Sequence, residues 1–269
     1  MEETHSNNGD VEFLVSTAKC YISLLDGYCK SRSRGSELKA EELLCRMNTL
    51  SERIRNAGGS GGGGGDSGGS DNSGNNGSRG GSGRSKKGIG IADVRHYNNV
   101  LNRIATSHKP NAGQECERLL HELIELYKST KDESLRPNRV TFNTVIKGYV
   151  NSGNSGSGSS GNGGNSGRGG GGGGREGKTA ARNAKRIFSM MENPESIGLS
   201  THNTDGGGDR IEPDKVSCTS ILQAWANSGE NDTGEKAERL LERMQDMYIK
   251  GNEGMKPDGG AYNAVIKVW

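Results

Sequence analysis

The chain has 269 residues, a formal net charge of +2 and 45 glycines, of which 29 lie in the stretches 58–88 and 152–177. A nearly neutral chain does not by itself indicate a nucleic-acid partner. No apolar run approaches the ~20 residues of a membrane span, and the five cysteines form no CxxC pair, which argues against a zinc site. The sequence therefore predicts no membrane association, no metal and no cofactor.

The glycine-rich stretches consist almost wholly of Gly, Ser, Asn and Arg. Such a composition cannot bury enough apolar surface to form a core and is typical of flexible coil. We expect residues 58–90 to be a disordered linker and residues 152–177 to be a disordered insertion.

Outside these stretches the apolar residues recur at helical spacing. Pro137 cannot continue a helix and Asn138 can cap a new one, so a helix is predicted to start there. Its apolar face consists of Phe142, Val145, Ile146 and Tyr149. In chain order, the pattern predicts helices over residues 11–29, 37–47, 93–105, 114–127, 139–150, 180–191, 212–226, 235–248 and 256–269.

These helices alternate between two types. The second helices align without a gap as KAEELLCRM, ECERLLHEL, NAKRIFSMM and KAERLLERM. The first helices share an aromatic position, which holds Tyr21, Tyr97, Phe142, Cys218 and Tyr262. Seven residues later they share a second large position, which holds Tyr28, Ile104, Tyr149, Trp225 and Trp269. Tandem helical pairs predict an all-α fold, an α-solenoid of helix-turn-helix hairpins.

The repeat divides the chain into units and explains two cysteines. The units are a segment with repeat 1 (1–57), the linker (58–90), repeat 2 (91–138), repeat 3 with its insertion (139–214), repeat 4 (215–258) and the start of repeat 5 (259–269). Cys116 aligns with alanines and Cys218 holds the aromatic position, so both are predicted to pack rather than react. Because the last predicted helix lacks a partner, we expect a fragment of a longer protein.

The repeats resemble pentatricopeptide repeats. The resemblance is carried by RPNRVTFNTVIKGYV, EPDKVSCTSILQAWANSG and KPDGGAYNAVIKVW, with KAERLLERM as the matching second helix. It covers residues 18–269 apart from the glycine-rich stretches and the segment 192–211. Successive repeats start 76, 45, 76 and 44 residues apart, more than the family's ~35 residues. The W-x-x-L-G-x-x-Y pattern of tetratricopeptide repeats, the nearest structural alternative, is absent.

The resemblance implies recognition of single-stranded RNA, with about one base per repeat read by two or three side chains. In the family, one reader follows the aromatic position and the other ends the repeat, just before the next first helix. The implied pairs are Asn98 with Asn138 (cytosine-like), Asn143 with Asp214 (uracil-like) and Thr219 with Asp258 (guanine-like), while Asn263 is left without a partner. The pair Ile22 and Asp93 breaks the rule because isoleucine cannot hydrogen-bond.

Two further positions bear on this interpretation. Val140 and Val216 match the family residue that lies between successive bases, and Lys19, Arg95 and Gly260 hold that position in the other repeats. Helix capping alone explains the Asp and Asn residues that end the repeats. The recurrent Asn of the first helices is harder to explain by helix formation, because Asn is a mediocre helix former.

One glycine-rich sequence formally matches a nucleotide-binding motif. GGGGREGKT fits the phosphate-binding loop formally, with Lys178 and Thr179 at its end. That motif requires a buried strand before the loop, and residues 152–171 contain no apolar run. The sequence predicts no nucleotide hydrolysis and no enzyme.

Two functional hypotheses remain. The first is a non-catalytic RNA-binding module that reads pyrimidine (C preferred), U and G in repeat order. The family's setting implies RNA processing, editing, stability or translation in a mitochondrion or plastid, with other proteins of such complexes, although no transit peptide is recognisable. The second is a helical-repeat scaffold that binds an extended peptide of a partner protein.

Overall fold

The computed structural model describes residues 4–31, 33–58, 92–107, 109–154, 175–199, 211–230 and 232–269. Within these ranges the chain is all-helical, with nine α-helices and no β-strand, which confirms the all-α class. The helices are α1 (Thr4–Lys30), α2 (Ser36–Gly58), α3 (Val94–Ala105), α4 (Ala112–Thr130), α5 (Arg139–Asn154), α6 (Arg175–Glu192), α7 (Lys215–Ser228), α8 (Thr233–Ile249) and α9 (Gly259–Val268). None of the described helices is long and apolar enough to cross a membrane.

Polar caps determine where the odd-numbered helices begin. Asp214 has an extended backbone (φ −121°), and its carboxylate accepts a hydrogen bond from the amide of Ser217. Asp93 and Asp258 cap α3 and α9 in the same way, and Asn138 accepts from the amide three residues ahead in α5. A cap supplies a partner for an amide that the first helical turn leaves unpaired. The prediction that these four residues cap helices is confirmed.

The odd-numbered helices lie next to one another in chain order, α1 against α3, α3 against α5, α5 against α7 and α7 against α9. Each even-numbered helix packs against the odd-numbered helices that precede and follow it. As a result Tyr97 and Phe142, at the aromatic position, are fully buried. In the last repeat, Tyr262 at the aromatic position is 43% exposed. Trp269, at the second large position just after α9, is 73% exposed. Burial of a unit's apolar face therefore depends on its neighbours.

The even-numbered helices approach the core through small residues. The shared small position holds Ala40, Cys116, Ala184 and Ala237, all fully buried. Burial raises the pKa of Cys116 to about 12, and burial likewise raises the pKa of Cys218 to about 12. Both thiols therefore stay protonated at neutral pH, and the prediction that these cysteines pack is confirmed.

Several boundaries differ from the sequence prediction. α1 begins before residue 11, and α2 continues past residue 47 because Ile54, which is buried, extends its apolar face. The predicted insertion 152–177 is wrong at both ends: residues 152–154 end α5 and residues 175–177 begin α6. Residues 59–90 of the predicted linker and residues 155–174 of the insertion lie outside the described residues.

Close approach of helices explains why glycines at these ends are helical. A Cβ on Gly153 would lie 3.2 Å from the Cβ of Ala180 and 3.7 Å from the Cα of Gly177. A Cβ on Gly177 would lie 3.0 Å from the carbonyl oxygen of Asn227, in α7. These glycines are packing residues. Lys178 and Thr179 lie inside α6, so residues 175–179 of the apparent phosphate-loop sequence are helical rather than looped.

The closest approach involves Gly113, in the first turn of α4. An added Cβ would lie 2.4 Å from Cδ1 of Tyr149, whose ring is buried. We expect Gly113→Ala to destabilise the fold by about 1–3 kcal/mol, because the tyrosine ring must move. Urea unfolding followed by circular dichroism measures this change.

Gly27, in the last two turns of α1, is the matched control because an added Cβ would meet nothing within 4 Å. There the same substitution should stabilise the protein by up to about 1 kcal/mol, the helix preference of alanine over glycine. Equal effects at the two positions would contradict the proposed role of Gly113.

Candidate functional site

The predicted reading pairs meet at the junctions between consecutive odd-numbered helices. At the first junction, Nδ2 of Asn98 in α3 donates to Oδ1 of Asn138, the cap of α5, at 3.3 Å. The hydroxyl of Thr141 also lies 3.2 Å from that Oδ1. A cap of one helix therefore contacts the predicted reader of the preceding helix.

The second junction is the most densely hydrogen-bonded. Nδ2 of Asn143 in α5 donates to Oδ1 of Asp214, the cap of α7, at 3.2 Å. Oγ of Ser217 lies 2.6 Å from Oδ1 of Asn143 and 2.9 Å from Oδ1 of Asp214. Its single proton can donate to only one of these acceptors at a time. The network holds the Asn143 amide with its nitrogen toward the carboxylate.

The third junction brings Thr219 of α7 near Asp258, the cap of α9. An added Cβ on Gly260 would lie 3.1 Å from Oδ1 of Asp258 and 3.5 Å from Cγ2 of Thr219, so both side chains surround this glycine. Oγ1 of Thr219 is buried and has no hydrogen-bond partner within the described part of the chain. This junction is the least bonded of the three.

Ion pairs also link the helices at the second and third junctions, and the sequence analysis did not predict them. Nη1 of Arg139 lies 3.7 Å from Oδ2 of Asp214, and Nζ of Lys215 lies 3.8 Å from Oδ2 of Asp258. Each cation is the first residue of its helix, directly after the cap, and reaches the cap of the next odd-numbered helix. The recurrence of a basic residue after the cap was the available sequence signal.

The hydroxyls of Thr141 and Ser217 were also missed. Both stand three residues after their cap, and both return a bond to it: Oγ1 of Thr141 accepts from the amide of Asn138, and Oγ of Ser217 accepts from the amide of Asp214. A polar residue at this helical position completes a reciprocal cap. Its effect on the reader of the preceding helix depends on how the helices are placed, and sequence spacing does not contain that placement.

The predicted base-contacting valines lie at the same edge of the odd-numbered helices. Val140 and Val216 are 56% and 53% exposed, whereas Val145, on the opposite side of α5, is fully buried. Lys19 and Arg95, at the equivalent position of α1 and α3, are exposed as well. An exposed valine beside a polar pair leaves room for a flat apolar ligand such as a base.

The pKa values of two of the capping carboxylates, Asp214 and Asp93, are lowered. Burial acts to raise the pKa of Asp214, but bonds from the amide and hydroxyl of Ser217 and from Asn143, with the charge of Arg139, outweigh it and lower the pKa. Burial opposes ionisation of Asp93 too, but His96 and Arg95 hold its pKa well below the usual range. Both carboxylates are therefore anionic acceptors at neutral pH.

Not every predicted position is part of a pair. Asn263 is exposed on α9, without a described cap after it. Ile22 is half-buried and packs against the core, and Asp93 bonds to Arg95 and His96 instead. Within the described residues, no group of three or more His, Cys, Asp or Glu side chains could hold a metal.

No protein-family model matches this chain, and comparison with curated proteins and with solved structures finds no match either.

The second junction generates a pH prediction. Because the pKa of Asp214 lies below the ~3.9 of an unfolded chain, its ionised form stabilises the folded state above that pH. This stabilisation is lost as the pH falls through the folded-state pKa. We expect Asp214→Asn to cost roughly 1 kcal/mol at neutral pH, the scale of a charge at a helix N-terminus, and the cost to shrink on acidification. Urea unfolding at several pH values measures it.

Ser217→Ala provides the matched background for this experiment. Without the hydroxyl, Asp214 keeps the amide bond but loses one side-chain donor, so the pH dependence of the Asp214→Asn cost should be weaker. An identical pH dependence in both backgrounds would show that the hydroxyl does not contribute to the low pKa.

Proposed function

We propose that this chain is a single-stranded RNA-binding protein of the pentatricopeptide type, an α-solenoid whose odd-numbered helices face the RNA. The observation that carries the proposal is the recurrence of one arrangement at three junctions. In each, the polar residue after the aromatic position of one helix lies beside the cap of the next: Asn98 with Asn138, Asn143 with Asp214, and Thr219 with Asp258. One arrangement per repeat fits one base per repeat.

The chemistry of the second junction suits a base edge. Asn143 donates one amide proton to Asp214, and its Oδ1 can accept a hydrogen bond from the hydroxyl of Ser217. Its second amide proton and second lone pair remain for a ligand. Within the described residues, the ion pair of Oδ2 of Asp214 is with Nη1 of Arg139 at 3.7 Å. A carboxylate oxygen can also accept from an imino N–H such as that of uracil. Because the network fixes both groups before binding, little side-chain ordering remains to oppose association.

Unpaired polar atoms support the other two junctions. Oδ1 of Asn98 and Oγ1 of Thr219 are buried and have no hydrogen-bond partner within the described residues. Buried polar atoms are rarely left unpaired in folded proteins. A base edge at each junction would supply the missing donor or acceptor once the Asn98 or Thr219 side chain turns outward, because both atoms are shielded from solvent in the free protein.

The exposed edge of these helices would hold the rest of the nucleotide. Val140 and Val216 offer apolar surfaces between successive base positions, and apolar contact with the face of a base is non-directional, so it does not distinguish one base from another. Lys19 and Arg95 replace valine in the earlier repeats and would contact phosphate, which positions the strand without reading it.

The proposed readout is pyrimidine (C preferred), U and G in repeat order, in the processing, editing, stability or translation of RNA in a mitochondrion or plastid. The protein binds RNA without catalysing a reaction, and it acts with other proteins of such complexes. Three readers give a short site, so the affinity is modest.

A panel of twelve-nucleotide RNAs, measured by fluorescence anisotropy at low salt, tests the proposal. An RNA that contains CUG should bind more tightly than poly(A), and Asn143→Ala should weaken it by about 10–100-fold, the scale of one lost base contact. Asn183→Ala, the same change on the even-numbered helix α6, is the control and should leave binding unchanged. If the folded protein binds no RNA, the proposal is wrong.

A change of specificity is a sharper test. Thr219→Asn places the uracil-type pair beside Asp258, so the preference at the third position should change from G to U. We expect CUU to replace CUG as the tighter ligand, while the preference at the second position stays the same. A uniform loss of affinity for all RNAs would contradict reading by this junction.

A further inference from the structure

A repeated ion pair bridges consecutive even-numbered helices. Arg118 of α4 is bonded to Glu41 of α2, and Arg186 of α6 is bonded to Glu117 of α4. In the aligned second helices the two glutamates hold one position and the two arginines hold the next. A glutamate and an arginine at these two repeat positions thus bridge the groove between α2 and α4 (the first groove) and the groove between α4 and α6 (the second groove).

The third groove, between α6 and α8, lacks this carboxylate. α6 has Lys185 at the glutamate position, while α8 keeps the arginine, as Arg239. Both cations line one cavity of about 500 Å³. A lysine cannot pair with an arginine, so the repeated ion pair is missing here, and a different pair, Arg243 of α8 with Glu192 of α6, bridges the two helices.

The floor of this cavity is apolar. It is formed by the rings of Phe188 and Trp225 and by Leu240. Nζ of Lys185 lies 4.8 Å from the centroid of the Phe188 ring, so the cation stands directly beside the apolar floor. Of the charged side chains that line the cavity, five are cationic and two are anionic. The groove therefore combines an apolar surface with an excess of positive charge.

We propose that the groove between α6 and α8 binds a segment of a partner protein in which a carboxylate lies next to a large apolar side chain. The carboxylate takes the repeat position that glutamate holds in the first two grooves, beside Lys185 and Arg239, and adds to the pairs that these cations make with Glu192 and Glu235. The apolar side chain covers Phe188, Trp225 and Leu240. This site lies mainly on the even-numbered helices, with Trp225 of α7 in its floor, and it does not depend on RNA binding at the junctions.

A carboxylate fits this groove better than an RNA phosphate does. Glu192 and Glu230 also line the cavity. Glu192 pairs with Lys185 at 3.3 Å and with Arg243, and Glu230 pairs with Arg182 at 3.3 Å. Two fixed carboxylates repel a strand that carries one negative charge per nucleotide, whereas a peptide can bring a single carboxylate to the two cations. Opposite charges then favour the intended partner, and like charges disfavour the polyanion.

The probe is a fluorescein-labelled peptide with one acidic side chain and an amidated C-terminus, QQLLEQLLQQLL, and the control is the same peptide with that Glu replaced by Gln. Binding to the full chain is measured by fluorescence anisotropy. The acidic peptide should bind at least about tenfold more tightly than the Gln peptide, the equivalent of ~1.4 kcal/mol. Equal binding of the two peptides would overturn the proposal, because the cations would then have no role.

Lys185→Glu is the decisive variant, since it restores glutamate at this repeat position and replaces a cation of the cavity by a carboxylate. It should fold normally by circular dichroism and lower the affinity for the acidic peptide by about tenfold or more. Lys178→Glu makes the same charge change two turns earlier on α6, outside the cavity, and should not alter binding. Equal losses in both variants would reduce the effect to overall charge and would overturn the proposal.

Two outcomes separate this site from RNA binding. If Lys185→Glu weakens binding of a CUG-containing RNA and leaves peptide binding intact, the groove binds nucleic acid and the proposal is wrong. If Asn143→Ala abolishes RNA binding while the acidic peptide still binds, the two sites are independent, as proposed.

Discussion

The arrangement of this protein depends on residues that cap one helix and touch another. Asp214 caps α7 by accepting a hydrogen bond from the backbone amide of Ser217. Its carboxylate also accepts one from the side-chain amide of Asn143 in α5. Asn138 has the same double role between α3 and α5. A capping interaction is normally local and contributes on the order of 1 kcal/mol. Here it also sets the distance between neighbouring odd-numbered helices, so local helix formation and the placement of the candidate site are coupled.

The sequence predicted what depends on periodicity. Apolar spacing located the nine helices, and the aligned positions of Phe142 and Cys116 correctly indicated burial. It did not predict features that depend on approach between helices. Gly153 and Gly177 were assigned to an insertion because glycine composition resembles coil, yet each contacts a neighbouring helix. The role of Ser217 beside Asn143 was likewise hidden, because 74 residues separate them along the chain.

The two sets of helices present different chemistry. The odd-numbered helices carry amides, hydroxyls and carboxylates in bonded pairs, with exposed valines and cations at their edge. The even-numbered helices carry one repeated ion pair in the first two grooves, and a different ion pair beside an apolar cavity with excess positive charge in the third. Lysine at residue 185, where α2, α4 and α8 have glutamate, accounts for the loss of the repeated pair. Repeats permit such variation because each unit contacts only its neighbours.

The contact between Gly153 and Gly177 has a consequence for how this chain can change over evolution. The chain leaves α5 and enters α6 at points that touch, since a Cβ on one glycine would lie 3.7 Å from the Cα of the other. An added Cβ on Gly153 would lie 3.2 Å from Ala180 in α6, and one on Gly177 would lie 3.0 Å from the carbonyl oxygen of Asn227 in α7. A larger residue at either position would therefore separate α6 from a neighbouring helix. Evolutionary substitution is restricted at these two positions by the packing of three helices.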